Sequence, residues 1–254
     1  MSSLLFTLGS YLDYWLKAKG SHALHSPFLF NLYNNAFKPA STSLISEIES
    51  LRSGLLKNEE RIDVVDFKTG RTQLRTVENV ARTSLSKPKF SNFLRLLCDE
   101  LEIKTVLETG TSLGINALYL SQGKHVEKVV SIEGSDIIYQ LAKKTTADFP
   151  NIQLRSGNIY ELFESNLVQH EPELVFLDAD HRKSAVDFCL DKINQHCPEI
   201  KCIVIHDIYW SKDMADVWQE IIQNEYYSLT IDIFQAGIIF PNVQMEKQHF
   251  TLRF

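Results

Sequence analysis

A chain of 254 residues with 44% apolar and 23% charged content can bury one α/β domain plus an appendage, but is short for two full domains. Its formal net charge of −6 argues against duplex nucleic acid as a partner, because phosphate binding needs a concentrated basic surface. No apolar run approaches the ~18–20 residues that span a bilayer.

The one basic cluster, Arg82 to Lys89, is short and reads as a solvated loop. The four cysteines (Cys98, Cys189, Cys197, Cys202) have no metal-finger spacing, and nothing in them demands an oxidising compartment. The first twenty residues lack a basic leader segment, and Asp13 interrupts their apolar pattern. A soluble, cytoplasmic protein without a membrane partner is expected.

Leu4, Leu5, Leu8, Leu12 and Leu16 recur at helical steps with Tyr11 and Trp15 alongside, which predicts an amphipathic first helix. It must cover something: a core lid, a contact with a second copy and a membrane-surface patch all fit, the last disfavoured because the polar face is nearly uncharged. The segment 21–37 follows, with Ser26-Pro27 resembling a helix start. Residues 41–62 read as another helix and 63–89 as a polar linker. The division expected is a helical extension or lid over 1–89 and a main domain over 90–254. From 90 onward, helices and apolar strands alternate through five βα units (strands near 105–110, 128–134, 151–157, 173–180 and 201–207). Three apolar segments (227–234, 236–240, 249–254) close the chain. The expected fold is α/β, Rossmann-like and doubly wound. Its mostly parallel, seven-stranded sheet should carry an antiparallel strand near the C-terminus.

In open α/β sheets the ligand lies beyond the carboxyl ends of the strands. The first such end reads TVLETGTSLGINALYLS (105–121). A phosphate-gripping loop needs Gly-Lys-Ser/Thr entering the helix, but Gly114 is followed by Ile115. The dinucleotide fingerprint needs a glycine two after Gly110, and none is there. Glu108 at the turn would repel phosphate and suits a positive ligand group. Glu133, ending the second strand, is placed to accept from two ribose hydroxyls. Ribose, an ammonium group and no phosphate describe S-adenosylmethionine. Taken alone the turn is a weak motif, and a plain strand-to-helix connection explains it as well. The acids and amides at four further strand ends are what make it a site.

The sequence resembles the class I S-adenosylmethionine-dependent methyltransferases, in particular the O-methyltransferase branch, over residues 100–254. VLETGTSLGINALYL is similar to that family's first motif, IEGSD to its ribose-binding acid, and SGNIYELF to its adenine-contacting turn. FLDADH and VIHDIYW are similar to its fourth and fifth strand ends. HSPF (25–28) and IYWSKDM additionally resemble an uncharacterised methyltransferase subgroup. The resemblance implies that Glu108, Gly110, Thr111, Ser112, Gly114 and Asn116 hold the methionine end. Glu133 with Gly134 would hold the ribose, and Asn158 would lie against adenine.

Asp178, Asp180 and His181 follow the fourth strand, and His206 and Asp207 end the fifth. Methyl transfer is an in-line displacement in which the enzyme positions the acceptor and removes its proton. Imidazole titrates near neutral pH, so His181 is a candidate general base and His206 a second one. The spacing of Asp178 and His181 resembles an acid-plus-base pair of the metal-dependent sugar and macrolide O-methyltransferases. A Mg²⁺ ion on Asp178 and Asp207 is one reading. Others are a softer ion, since imidazole replaces one expected oxygen ligand, or no metal, with Asp178 serving the cofactor side. The leading expectation is transfer of a methyl group from S-adenosylmethionine to an oxygen of a small-molecule acceptor, in a chain whose N-terminal helices cover the acceptor or pair two copies. A non-catalytic S-adenosylmethionine or nucleoside binder is the rival. A nicotinamide-dependent oxidoreductase is disfavoured by the missing glycines.

Overall fold

The computed structural model describes residues 3–20, 26–65 and 72–254. Histidine 25 of the HSPF segment and residues 66–71 lie outside them. In chain order the elements are α1 (Ser3–Lys17), α2 (Pro27–Leu32), α3 (Ser46–Leu55), β1 (Arg61–Val65), β2 (Thr72–Thr76), α4 (Val77–Ser84) and α5 (Pro88–Glu100). Then come β3 (Thr105–Thr109), α6 (Ile115–Ser121), β4 (Lys128–Glu133), α7 (Asp136–Thr145), β5 (Ile152–Ser156) and α8 (Ile159–His170). The last are β6 (Leu174–Leu177), α9 (Lys183–His196), β7 (Cys202–His206), α10 (Lys212–Gln223), β8 (Leu229–Asp232), β9 (Ala236–Phe240) and β10 (Gln248–Thr251). No helix among the described residues is long and apolar enough to cross a membrane. The residues group into two compact units, one of residues 35–162 and one of 1–34 with 163–254.

In the unit of residues 35–162, β3, β4 and β5 pair in parallel. Residues 106–109 are wholly buried, as expected of a parallel strand covered on both faces. The segment expected to be a polar linker instead forms the antiparallel hairpin β1–β2 and helix α4. Thr76 caps that helix, its Oγ1 accepting from the Asn79 amide at 3.1 Å. One face of the hairpin and helix is apolar. Ile62, Val77, Val80 and Ala81 pack with Leu113, Ile138 and Leu141. Helix α3 is tied in by a buried arginine. Arg52 donates to the Ser86 carbonyl and, at 3.0 Å, to Ser91 Oγ, while its Nε meets Glu49 at 3.0 Å. Strand β1 and helix α4 thus contribute to this unit's core.

In the other unit, β6 and β7 pair in parallel, β9 lies antiparallel between β7 and β8, and β10 runs parallel to β8. The antiparallel strand near the C-terminus is as expected. The two units hold three and five such strands, eight in all where seven were expected; the hairpin is a separate sheet. Gly237 in β9 accommodates Trp218 of α10: a Cβ there would stand 2.4 Å from the indole ring. Helix α1 is fastened to β10. Tyr14 Oη donates to the Leu252 carbonyl at 2.6 Å, and Lys19 bridges to the strand's end. Tyr11 and Tyr14 also pack against Phe234. Leu5, Leu8, Leu12, Trp15 and Leu16 of the same helix are exposed.

Candidate active site

The glycine turn follows β3, as the sequence predicts. Gly110 and Gly114 have φ of +85° and +88°, in the left-handed region where a side chain is strained. A Cβ on Gly114 would also stand 2.9 Å from the Thr146 side chain. Below the turn, Glu108 is fully buried and accepts from Ser131 Oγ at 2.5 Å, and Ser131 meets Thr111 Oγ1 at 2.6 Å. Glu133 stands at the end of β4. Its Oε2 accepts from the Ser112 amide at 2.8 Å and its Oε1 from the Ser135 amide at 2.9 Å. Burial pushes this carboxyl up from its ordinary range, opposed by those two amides and that of Gly134. Each oxygen keeps a further acceptor position, which is what two neighbouring hydroxyls need.

Three residues assigned to the cofactor have their side chains engaged elsewhere. Asn116 accepts from Ser91 Oγ at 2.7 Å and donates to Ser86 Oγ at 3.0 Å, joining the network of Arg52. Asn158 is exposed, and its Oδ1 accepts from the Tyr160 amide at 3.0 Å, forming a short turn. Ser112 pairs its hydroxyl with Ser84 at 2.7 Å, so its backbone, not its side chain, reaches Glu133.

The other unit brings Asp178, His181, His206 and Asp207 together. Asp178 follows β6, His206 ends β7, and Asp207 takes a φ of +55° while donating its amide to the Gln235 carbonyl at 2.7 Å. His206 Nδ1 lies 2.8 Å from Asp178 Oδ1 and 3.7 Å from Asp207 Oδ2. Desolvation pulls the His206 pKa down, but the Asp178 carboxylate outweighs it and holds the imidazole up at about 9. A ring charged at neutral pH has no lone pair with which to take a proton. His181 is held less tightly. Its Nε2 is 3.9 Å from Asp178 and 3.7 Å from Asp207, beyond hydrogen-bonding reach, and its side chain is 24% exposed. Asp180 is committed to an ion pair with Arg182.

These four residues do not fit Mg²⁺. That ion wants oxygen ligands in octahedral array. One Asp178 oxygen already accepts from His206, and a charged imidazole stands where an oxygen ligand would be needed. No group of three His, Cys, Asp or Glu side chains among the described residues is arranged to hold a metal ion.

Beside Asp207 is a cavity of about 280 Å³, lined among the described residues by Thr7, Asp207, Tyr209, Trp210, Phe234 and Gln235. The Tyr209 and Phe234 rings stack at 5.3 Å, and Tyr209 Oη donates to Asp232 Oδ2 at 2.5 Å. Trp210 is 59% exposed, with its ring 5.9 Å from that of His181. Of the lining residues the sequence assigns a role only to Asp207, while Tyr209 and Trp210 stand in the quoted motifs without one. The IYW triplet after β7 was the one available signal for Tyr209 and Trp210. Phe234 and Gln235 sit in the β8–β9 turn, where Phe234 has a φ of +67° that no residue pattern announced.

No protein-family model and no curated protein matches the chain. Solved structures do. An O-methyltransferase from Bacillus cereus in complex with S-adenosylhomocysteine (SAH) matches at 12% identity with a TM-score of 0.53, over 80% of this chain and 94% of that one. The SAH-bound methyltransferase PaMTH1 of Podospora anserina matches at 13% and 0.56, over 78% and 96%. TomG of Streptomyces achromogenes, an O-methyltransferase in complex with S-adenosylmethionine, matches at 11% and 0.50, over 61% and 80%. The chain shares the Rossmann-like fold of these methyltransferases.

Proposed function

We propose that the chain is an S-adenosylmethionine-dependent methyltransferase acting on an oxygen of a small-molecule acceptor. The observation that carries this reading is Glu133, held at the end of β4 by amides of the glycine turn and of its own loop, with both oxygens able to accept again. The pattern suits a ribose diol and rejects a phosphate. Glu108 below the turn gives the methionine ammonium a negative environment, and Gly110, Thr111 and Gly134 let backbone approach it. When bound, S-adenosylmethionine supplies a methyl group on a sulfonium that is already a good leaving group.

His181 is the residue we assign to proton removal. The acceptor hydroxyl loses its proton to His181 Nε2 as the new oxygen–carbon bond forms, and the resulting imidazolium is steadied by Asp178 and Asp207 within 4 Å. His206, charged by Asp178, holds that carboxylate in place and is not a base in this scheme. No step passes through a metal. The chain's N-terminal helix supplies Thr7 to the cavity wall, which supports a covering role for the 1–89 extension, and the exposed leucines of α1 support pairing of two copies. One observation favours a non-catalytic binder instead: Asp178 is occupied by His206. Calorimetry with SAH and NAD tests the first point, SAH alone being expected to bind. Methyl transfer to a panel of phenols and alcohols then separates enzyme from binder.

A further inference from the structure

The cavity beside Asp207 has a chemistry of its own. Three aromatic rings, those of Tyr209, Trp210 and Phe234, line it, with Gln235 beside them. Asp207 is the one charged residue of the lining; no lysine or arginine contributes among the described residues. The adjoining cluster of two carboxylates and two imidazoles is neutral when both rings are protonated and negative otherwise, but never positive. An anionic ligand would shed its water there with no counter-charge to replace it. A cation would gain both the carboxylate and the exposed face of Trp210.

We propose that this cavity is the acceptor subsite and that it takes a phenol carrying an ammonium group. The phenol ring lies among Tyr209, Phe234 and Trp210, and the ammonium is matched by Asp207. That the ligand is a methyl acceptor rests on the methyltransferase reading; its recognition by charge and ring does not.

The test is calorimetry on the full chain with three phenols of similar shape: tyramine, 4-propylphenol and 3-(4-hydroxyphenyl)propionate. Tyramine should bind roughly three- to fivefold more tightly than the neutral phenol, the factor a cation gains over an exposed ring face, and the propionate should bind most weakly. Trp210→Ala should lose most of the preference for tyramine, and Trp210→Phe should keep it. Equal affinities, or tightest binding of the propionate, would overturn the inference. SAH is titrated into the same samples. If it binds while the phenols show no charge preference, this inference fails and the methyltransferase reading stands. If tyramine is preferred and SAH does not bind, the methyltransferase reading fails and the cation site stands.

Discussion

His206 and Asp178, ending or following two paired parallel strands, meet at 2.8 Å in a largely buried contact. The folded protein holds the imidazole proton up to about pH 9, whereas an unfolded chain releases it near 6.5. The contact therefore stabilises the fold fully below about pH 6.5, and that stability is lost as pH rises through 9. Denaturant melts from pH 6 to 10 should show the loss, on the order of 1–3 kcal/mol, and Asp178→Asn should flatten it. A wild-type curve level across that window would refute the pairing.

His181 should matter to rate and not to cofactor affinity. His181→Ala is expected to lower turnover of an accepted substrate by roughly 10²–10⁴-fold, the span of a positioned base, with SAH binding unchanged. Treatment with EDTA should leave turnover intact, because the donor set around Asp178 does not suit Mg²⁺. Loss of turnover on chelation, restored by Mg²⁺, is the contrary result.

Glu133 should matter to affinity. Removing a carboxylate that accepts from two hydroxyls is expected to weaken SAH binding by roughly 2–3 kcal/mol in Glu133→Ala. Circular dichroism must show the variant folded, since the same carboxylate also anchors Ser112 and Ser135. An unchanged dissociation constant in folded protein removes the ribose assignment.

Gly237→Ala tests the packing of α10 on the sheet. The added methyl would start 2.4 Å from Trp218, a fully buried ring with no room to retreat, so a cost of roughly 1–3 kcal/mol is expected. The double variant with Trp218→Leu should lose less than the two single changes summed, because each relieves the other.

Much of the main domain was legible because its signals are local. A run such as Thr105–Thr109 is apolar on both faces, ends in an acid and turns on a glycine, and each of those facts is readable within ten residues. The hairpin β1–β2 was not legible. Its strands are exposed on most positions, and what buries Ile62 lies as far away as Leu141. The side chain of Asn116 fits a cofactor motif, yet Ser86 and Ser91 hold it, and Ser91 is in turn held by the buried Arg52 from a distant helix. The cavity was hidden for the same reason: Thr7, Trp210 and Gln235 meet only through tertiary structure.

The hydrogen bond from Tyr14 to Leu252 spans 238 positions. A contact of that sequence separation closes a very long loop and is slow to form. On the ribosome, α1 emerges long before the strand that receives it, whereas residues 35–162 complete a unit of their own in the interval. Helix α1 is therefore among the last elements of this unit to dock. Until it does, its leucines and tyrosines are sticky surface on a nascent chain, and the wall that Thr7 gives the cavity does not exist.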